Sequence, residues 1–212
     1  MTTIAGYGAG GHARSLLEAL RSTEAWDVMA LVDDDPARAG DAVLGVPVQA
    51  GPDALAALRA RGVAHAFVAI GGVAERAGRR RAFARLRELG FALPPVVHAS
   101  AVISPWATLG DGAQVLAGAI VNAAAALGEG AIVNTGAIVE HDCRVGASAH
   151  LGPRAVLGGH VAVGDGAHVG MGATVVEGRR IGAGAFVAAG AVVVADVPAG
   201  ARVAGVPARA RA

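Results

Sequence analysis

Lysine is missing altogether, and all 18 basic residues are arginines. Schiff-base chemistry on a lysine amine and a Walker-type phosphate lysine are therefore excluded. Cysteine occurs once, at Cys143, so neither an internal disulfide nor a cysteine-rich zinc site can form. Aromatic residues make up only 3% of the 212 positions. A core of ordinary layered packing leans on such bulky side chains. This core must instead be narrow and filled with small aliphatics. The same scarcity removes stacking platforms for bases, and a formal net charge of +1 gives no electrostatic case for nucleic acid. No apolar run approaches the ~18 residues of a membrane span. The opening stretch MTTIAGYGAGGHARS is too glycine-rich and too short for a signal peptide. A soluble, cytoplasmic protein of one or two domains is expected.

What is abundant is glycine, with 32 residues, and apolar residues, at 54%. From Val97 onward the chain reads as 17 uninterrupted hexads, from VHASAV and ISPWAT to VAAGAV and VVADVP. The first position is Val, Ile or Leu in every one, an outcome that chance would give about once in 10⁸ tries. The fifth is Ala in 13 of them and Cys143, Val161, Arg179 or Val197 in the others. Large and small apolar residues alternating around glycine describe a short flat strand and a tight corner. Three such walls close a triangular prism with 18 residues per coil, a β-helix. First-position aliphatics then stack inside it. Arg179 occupies a small-residue position, and burying its charge is too costly. The expectation is a local distortion that turns it outward.

Residues 1–95 form a different module. Strands are expected over 3–7, 28–35 and 64–71, and helices over 12–22, 52–61 and 73–89. That βαβαβ order gives a small parallel sheet of Rossmann type. Between the first strand and helix stands Gly6-x-Gly8-x-x-Gly11, a turn suited to an anion at a helix N-terminus. Asp33 lies where a dinucleotide fold puts its ribose acid. Only one mononucleotide-binding half is present, which suits a nucleotide-sugar diphosphate better than NAD.

The histidines in the prism are sorted by the 18-residue period. His141 holds a third hexad position and points outward near a corner, with Ala123 and Gly159 as column neighbours. Asp142 follows it, with His160 one coil on in the same column. An outward imidazole beside a carboxylate is the arrangement of a general base. His150 and His168 share another column, between Ile132 and Phe186. His160 and His168 are expected to be structural or to lie at a subunit interface. His65 and His98 read as structural, and Cys143 as an inward core residue. No two histidines stand five residues apart, which argues against the three-His zinc site of a γ-carbonic anhydrase, and no metal is expected.

Three segments, GYGAGGHA, VNTGAIVEHDCRVGASAHLGP and GVPAR, resemble the hexapeptide-repeat acyltransferases. Within these the chain is similar to the sialic acid O-acetyltransferase and nucleotide-sugar N-acetyltransferase family. LGVPV, VNTGAIVEHDCRVG and AHLGP look closest to its GDP-perosamine N-acetyltransferases. The resemblance implies a left-handed prism over 96–212, assembled as a homotrimer with active sites between subunits. It implies acetyl-CoA as co-substrate and the 4-amino group of a nucleotide-linked 4-amino-4,6-dideoxy sugar as acceptor, with His141 as base and Asp142 as its partner. On the coenzyme side it implies Asn134, His150, Met171, Ala189 and Arg209. Gly152 and Gly170 share the Asn134 column and suggest a smooth track for the pantetheine arm. On the acceptor side it implies the turn glycines Gly8, Gly10 and Gly11, then His12, Asp33 and Asp34, with Gly71 as a close-approach glycine. UDP-sugar relatives place a basic residue soon after the acids, where this chain reads DDDP. The base therefore stays open between GDP, UDP and dTDP. O-acetylation of a sugar or sialic acid, and a non-catalytic nucleotide-sugar-binding scaffold, are the alternatives.

Overall fold

A computed structural model describes residues 1–51, 53–71 and 76–211. Residues 52 and 73–75, where two of the expected helices were to begin, lie outside the described residues. The chain divides into two units, Met1–Ala99 and Ser100–Ala212. Among the described residues no helix is long and apolar enough to cross a membrane.

In the first unit, β1 (Thr2–Tyr7) runs into α1 (Gly11–Ser22), and β2 (Trp26–Asp33) follows. Ala13, Leu16, Leu17 and Leu20 recur at helical spacing along α1, and all are buried. After α2 (Ala54–Ala60) and β5 (His65–Val68) comes α3 (Arg76–Glu88). The sheet holds one hairpin that the βαβαβ reading did not contain. It joins β3 (Ala42–Val43) to β4 (Val46–Ala50), and β4 pairs parallel with β2. The hairpin turn puts Leu44 and Gly45 at φ 48° and 80°. A left-handed leucine is rare, so the usual turn signal was absent. The sheet order β3-β4-β2-β1-β5 places β1 between β2 and β5, inside the sheet rather than at its edge.

The second unit is the expected prism. Its two-residue strands as far as Val192–Val193 fall on three walls, and each pairs in parallel with a strand 18 residues away. The first wall runs from Val102–Ile103 to Val192–Val193 and the second from Thr108–Leu109 to Arg180–Ile181. The third includes Gln114–Val115, Ile132–Val133, His150–Leu151, His168–Val169 and Phe186–Val187. First-position aliphatics from Val115 to Val193 are buried, as are the fifth-position alanines from Ala113 to Ala191, together with Cys143 and Val161. Arg179 turns outward, its Nε donating to the Glu177 carbonyl at 3.3 Å. The expected distortion is absent at that coil, because the Arg179 carbonyl still accepts the Ala162 N–H at 3.0 Å. Irregularity comes later. His168 pairs with Phe186, but Phe186 pairs with Arg202, so the closing coil is two residues short. The C-terminal segment folds back as an antiparallel pair, Arg202–Ala204 with Arg209–Ala210.

Leu151 fills the prism interior and is fully buried. Leu151→Ala is expected to destabilise the protein by about 2–5 kcal/mol, because neighbouring coils are too tightly stacked to collapse onto the void. Guanidinium unfolding of the variant should show a clearly lower midpoint than the parent.

Candidate active site

The second unit carries its chemistry on the edges of the prism. His141 and Asp142 form the corner between the first and second walls. Asp142 adopts φ 60°, in the fourth hexad position that nine other corners fill with glycine. Aspartate is among the residues that best tolerate this left-handed conformation. Its Oδ2 lies 2.8 Å from His141 Nδ1, and both side chains are about half exposed. Gly159, one coil on, admits the ring: a Cβ there would fall 2.7 Å from His141 Cε1 and 2.8 Å from Nε2. The small column neighbour therefore makes room for the imidazole itself. With Nδ1–H donated to the carboxylate, Nε2 keeps the lone pair that a general base needs. The Asp142 hydrogen bond raises the imidazole pKa above its ordinary value, with desolvation opposing and Asp142, Glu140 and Glu177 adding through their charge. The Asp142 carboxyl is correspondingly lowered by its bond to His141.

His160 stands one coil on, its Nε2 3.9 Å from the same Asp142 oxygen and its ring edge-on to His141 at 5.2 Å. Beside this edge is a hollow of about 620 Å³ lined by Asp142, Arg144, His160 and Arg180 among others. Cys143 faces inward. Burial pushes its thiol pKa up, and its Sγ lies 3.1 Å from the Gly158 carbonyl, so it is no nucleophile.

A second group gathers at the corner between the third and first walls. Asn134 Oδ1 accepts the Thr135 N–H at 2.8 Å, which turns Nδ2 toward His150 Nε2 at 3.1 Å. His150 is then an acceptor at Nε2. Its ring meets His168 edge-on at 5.1 Å, His168 stacks on Phe186, and the Arg202 guanidinium lies 4.5 Å from the Phe186 ring centre. Gly152 and Gly170 lie in the Asn134 column, but their glycine character has a packing cause. A Cβ on Gly152 would stand 2.7 Å from the Met171 backbone nitrogen, and one on Gly170 would meet the backbone of Ala188 and Ala189. Met171 and Ala189 are exposed on the same edge. Arg209 lies in the ordered final strand, its Nη1 donating to the Ala208 carbonyl at 2.9 Å. Within one chain the His141 edge and the Asn134 edge are thus different edges of the prism.

In the first unit, the start of α1 faces a cavity of about 180 Å³ lined by Gly8, Ala9, Gly10, Gly11, His12, Asp33, Ala69, Ile70 and Gly71. Gly8 needs its φ of 106°, and a Cβ there would press on Ala69 and Ile70. At Gly10 and Gly11 a Cβ would meet no protein atom within 4 Å, so the fold itself does not demand glycine there. Gly71 approaches a side chain: its Cβ would fall 2.6 Å from His12 Cγ. Asp33 Oδ2 accepts the Ala9 N–H at 2.8 Å and so pins the turn. Asp34 accepts from the Tyr7 hydroxyl at 2.7 Å, and Arg85 donates to that hydroxyl at 3.0 Å. Burial, then Asp34, raise the Tyr7 pKa. Besides Arg85, two more arginines have no counterpart in the sequence reading. Arg38 donates to the Ala9 carbonyl at 3.0 Å while bound to Asp41, so a basic residue does follow the acids, just beyond DDDP. Arg79 is buried, its pKa lowered to about 10 by desolvation, and holds the Ile70 carbonyl at 2.8 Å.

Comparison with known proteins bears on both units. The family described as the PglD N-terminal domain matches residues 3–84. Over its whole length the chain is similar to PerB from Caulobacter crescentus, solved in complex with CoA and GDP-perosamine. The two share 44% identity and a TM-score of 0.93, covering 100% of this chain and 98% of that one. The chain belongs to the hexapeptide-repeat acetyltransferase family of PerB. It is similar to the same extent, with a TM-score of 0.94, to the H141A mutant of GDP-perosamine N-acetyltransferase from Caulobacter crescentus, also solved with CoA and GDP-perosamine. The acetyltransferase domain of PglB from Neisseria gonorrhoeae, in complex with acetyl coenzyme A, is 34% identical, with a TM-score of 0.88 and 99% and 98% of the two chains covered. No curated protein matches the chain. The resemblance carried by the three sequence segments is thereby confirmed.

For this acetyltransferase the His141–Asp142 pair gives a direct electrostatic test. His141 is expected to titrate above the usual imidazole range, and Asp142→Asn should bring it down, because the largest cause of the rise is removed. NMR titration of the ring protons in parent and variant measures the difference. A pKa that does not fall in Asp142→Asn would contradict the pairing.

Proposed function

We propose that this chain transfers the acetyl group of acetyl-CoA to the 4-amino group of a nucleotide-linked 4-amino-4,6-dideoxy sugar, with a GDP-perosamine-like acceptor favoured. The carrying observation is the His141–Asp142 pair on an exposed edge, in a chain 44% identical end to end to an enzyme solved with CoA and GDP-perosamine. The H141A and H141N mutants of that enzyme bear the same residue number. In this reading the acceptor amine attacks the thioester carbonyl directly. His141 Nε2 takes the amine proton as the C–N bond forms, and returns it to the departing CoA thiolate. Asp142 keeps the proton on Nδ1 beforehand and stabilises the imidazolium afterwards.

The assignment of work follows the two units, read as a nucleotide-sugar-binding region over 1–95 and a transferase region over 96–212. Gly10, Gly11 and His12 offer the first N–H groups of α1 to the diphosphate, and Asp33 and Arg38 fix the turn that presents them. Asn134 and His150 stand at the coenzyme edge, with Met171, Ala189 and the backbone of Gly152 and Gly170 alongside. Because that edge and the base edge differ within one chain, we place the active site between copies in a homotrimer. Its substrates place it in the cytoplasm.

His141→Ala is expected to lower kcat by about 10²–10⁴-fold, the usual worth of a general base, with acetyl-CoA binding retained. Asp142→Asn should be the milder change, since that carboxylate moves no proton. Steady-state kinetics with UDP-, GDP- and dTDP-linked amino sugars would measure both and select the base; near-native kcat in His141→Ala would eliminate the mechanism. A Cβ at Gly11 meets no protein atom within 4 Å, so Gly11→Val should fold. It is expected to weaken the nucleotide-sugar acceptor and leave acetyl-CoA affinity unchanged, as calorimetry with each ligand can show. Equal loss of both would contradict the division of labour.

A further inference from the structure

His160 has no part in the proton transfer above, yet its position is costly and specific. It takes φ 60° at a corner where the next coil uses Gly178 at 70°. Ala124, Asp142, His160 and Gly178 form one column, so His160 is stacked directly on the carboxylate that orients the base. One donor atom from each of His141, Asp142 and His160 can be chosen so that all lie within 4.8 Å of one another, and all three residues are exposed. The actual separations from Asp142 Oδ2 are 2.8 Å and 3.9 Å. Donors held about 2.0–2.1 Å from one tetrahedral ion are roughly 3.3 Å apart. Small side-chain rotations would therefore bring the three onto one centre, while the stacked corners beneath hold still: His160 N–H is bonded to the His141 carbonyl at 3.0 Å, and Asp142 N–H to Ala123 at 3.0 Å.

We propose that His141, Asp142 and His160 form a binding site for a divalent transition-metal ion of the zinc class, and that its occupancy silences the enzyme. Two imidazole nitrogens and one carboxylate oxygen are the donor set such an ion prefers, and three protein ligands leave its fourth position to water. The neighbouring charges divide. Glu140 and Glu177 act on His141 and favour a cation, whereas Arg144 and Arg180, beside Asp142 and His160 in the adjoining hollow, oppose it. The site is thus suited to reversible binding rather than to a permanent structural ion. The silencing follows from tautomer chemistry. A metal on Nδ1 displaces the proton shared with Asp142, and the neutral ring then carries its proton on Nε2. That nitrogen becomes a donor and cannot accept the amine proton. The silencing rests on His141 being the base; the site itself does not.

The binding measurements use the full chain with zinc or cobalt alone, without coenzyme, because the CoA thiol would itself capture zinc; turnover is read from initial rates, before that thiol accumulates. His160→Gly is the chosen variant, since glycine suits φ 60° and fills the equivalent corner of the next coil. Calorimetry should show one metal equivalent per chain in the parent and at least tenfold weaker binding in His160→Gly, and the cobalt-loaded parent should show the absorption bands of tetrahedral coordination. Zinc should inhibit acetyl transfer by the parent reversibly, with a chelator restoring it, while metal-free His160→Gly keeps turnover within about twofold and resists zinc. Absence of a stoichiometric site, or equal affinity in His160→Gly, overturns the proposal. One bound equivalent with unchanged turnover upholds the site and instead overturns His141 as the base.

Discussion

Coil-on-coil stacking at a fixed spacing of 18 residues is the constraint on which the second unit depends. Adjacent coils lie one strand spacing apart, roughly 4.8 Å. At that distance a second-position side chain has little room. A Cβ on Gly128, Gly146, Gly158 or Gly164 would strike the backbone of the next coil at 2.5–2.9 Å. The glycine wealth of the sequence is therefore a packing requirement before it is anything else. Inside, the same spacing stacks one aliphatic on another, and the prism is filled without aromatic bulk. Each column is then a ruler: a residue's neighbours are those 18 positions away, and chemistry can be written onto an edge one coil at a time.

The edge chemistry depends on where the ruler tolerates exceptions. Most fourth positions are glycine in the left-handed region. Asp142 and His160 adopt that conformation without being glycine, at a cost on the order of 1 kcal/mol each. In return the carboxylate is held against His141 by backbone geometry rather than by a flexible loop. Gly159 completes the arrangement by giving the ring a place to lie. The imidazole is thus pre-oriented by the stacked corners of two successive coils, both rigid in the same way.

Much of this was legible beforehand because the period is strict. The inward address of Cys143, the outward address of His141, the small neighbour at 159 and the shared column of His150 and His168 all follow from counting. What counting missed is what has no period. The hairpin at Leu44–Gly45 escaped because leucine is a poor marker of a left-handed turn. Arg38 and Arg85 escaped because their partners, the Ala9 carbonyl and the Tyr7 hydroxyl, lie 29 and 78 residues away in sequence. The short closing coil escaped because the hexad pattern ends where Phe186 meets Arg202. For Gly152 and Gly170, counting shows the column they share with Asn134 but not that backbone packing already requires them to be glycine.

That last distinction separates two kinds of glycine that look alike in sequence. At Gly152 and Gly170 a side chain would collide with the protein's own backbone. At Gly10 and Gly11 it would collide with nothing in the chain, and neither has the positive φ that would call for glycine. A glycine the fold does not need, at the start of a helix whose first N–H groups have no intrahelical partner, leaves the backbone there open to close approach from outside the chain. The turn is also braced from both sides of one peptide unit's neighbours, through the Ala9 N–H to Asp33 and the Ala9 carbonyl to Arg38. That bracing fixes where the first N–H groups of α1 stand, while the Ala9 side chain itself packs into the core. The two units therefore apply one principle by different means: a rigid backbone is fixed first, and the reacting or binding group is then set where that backbone leaves space.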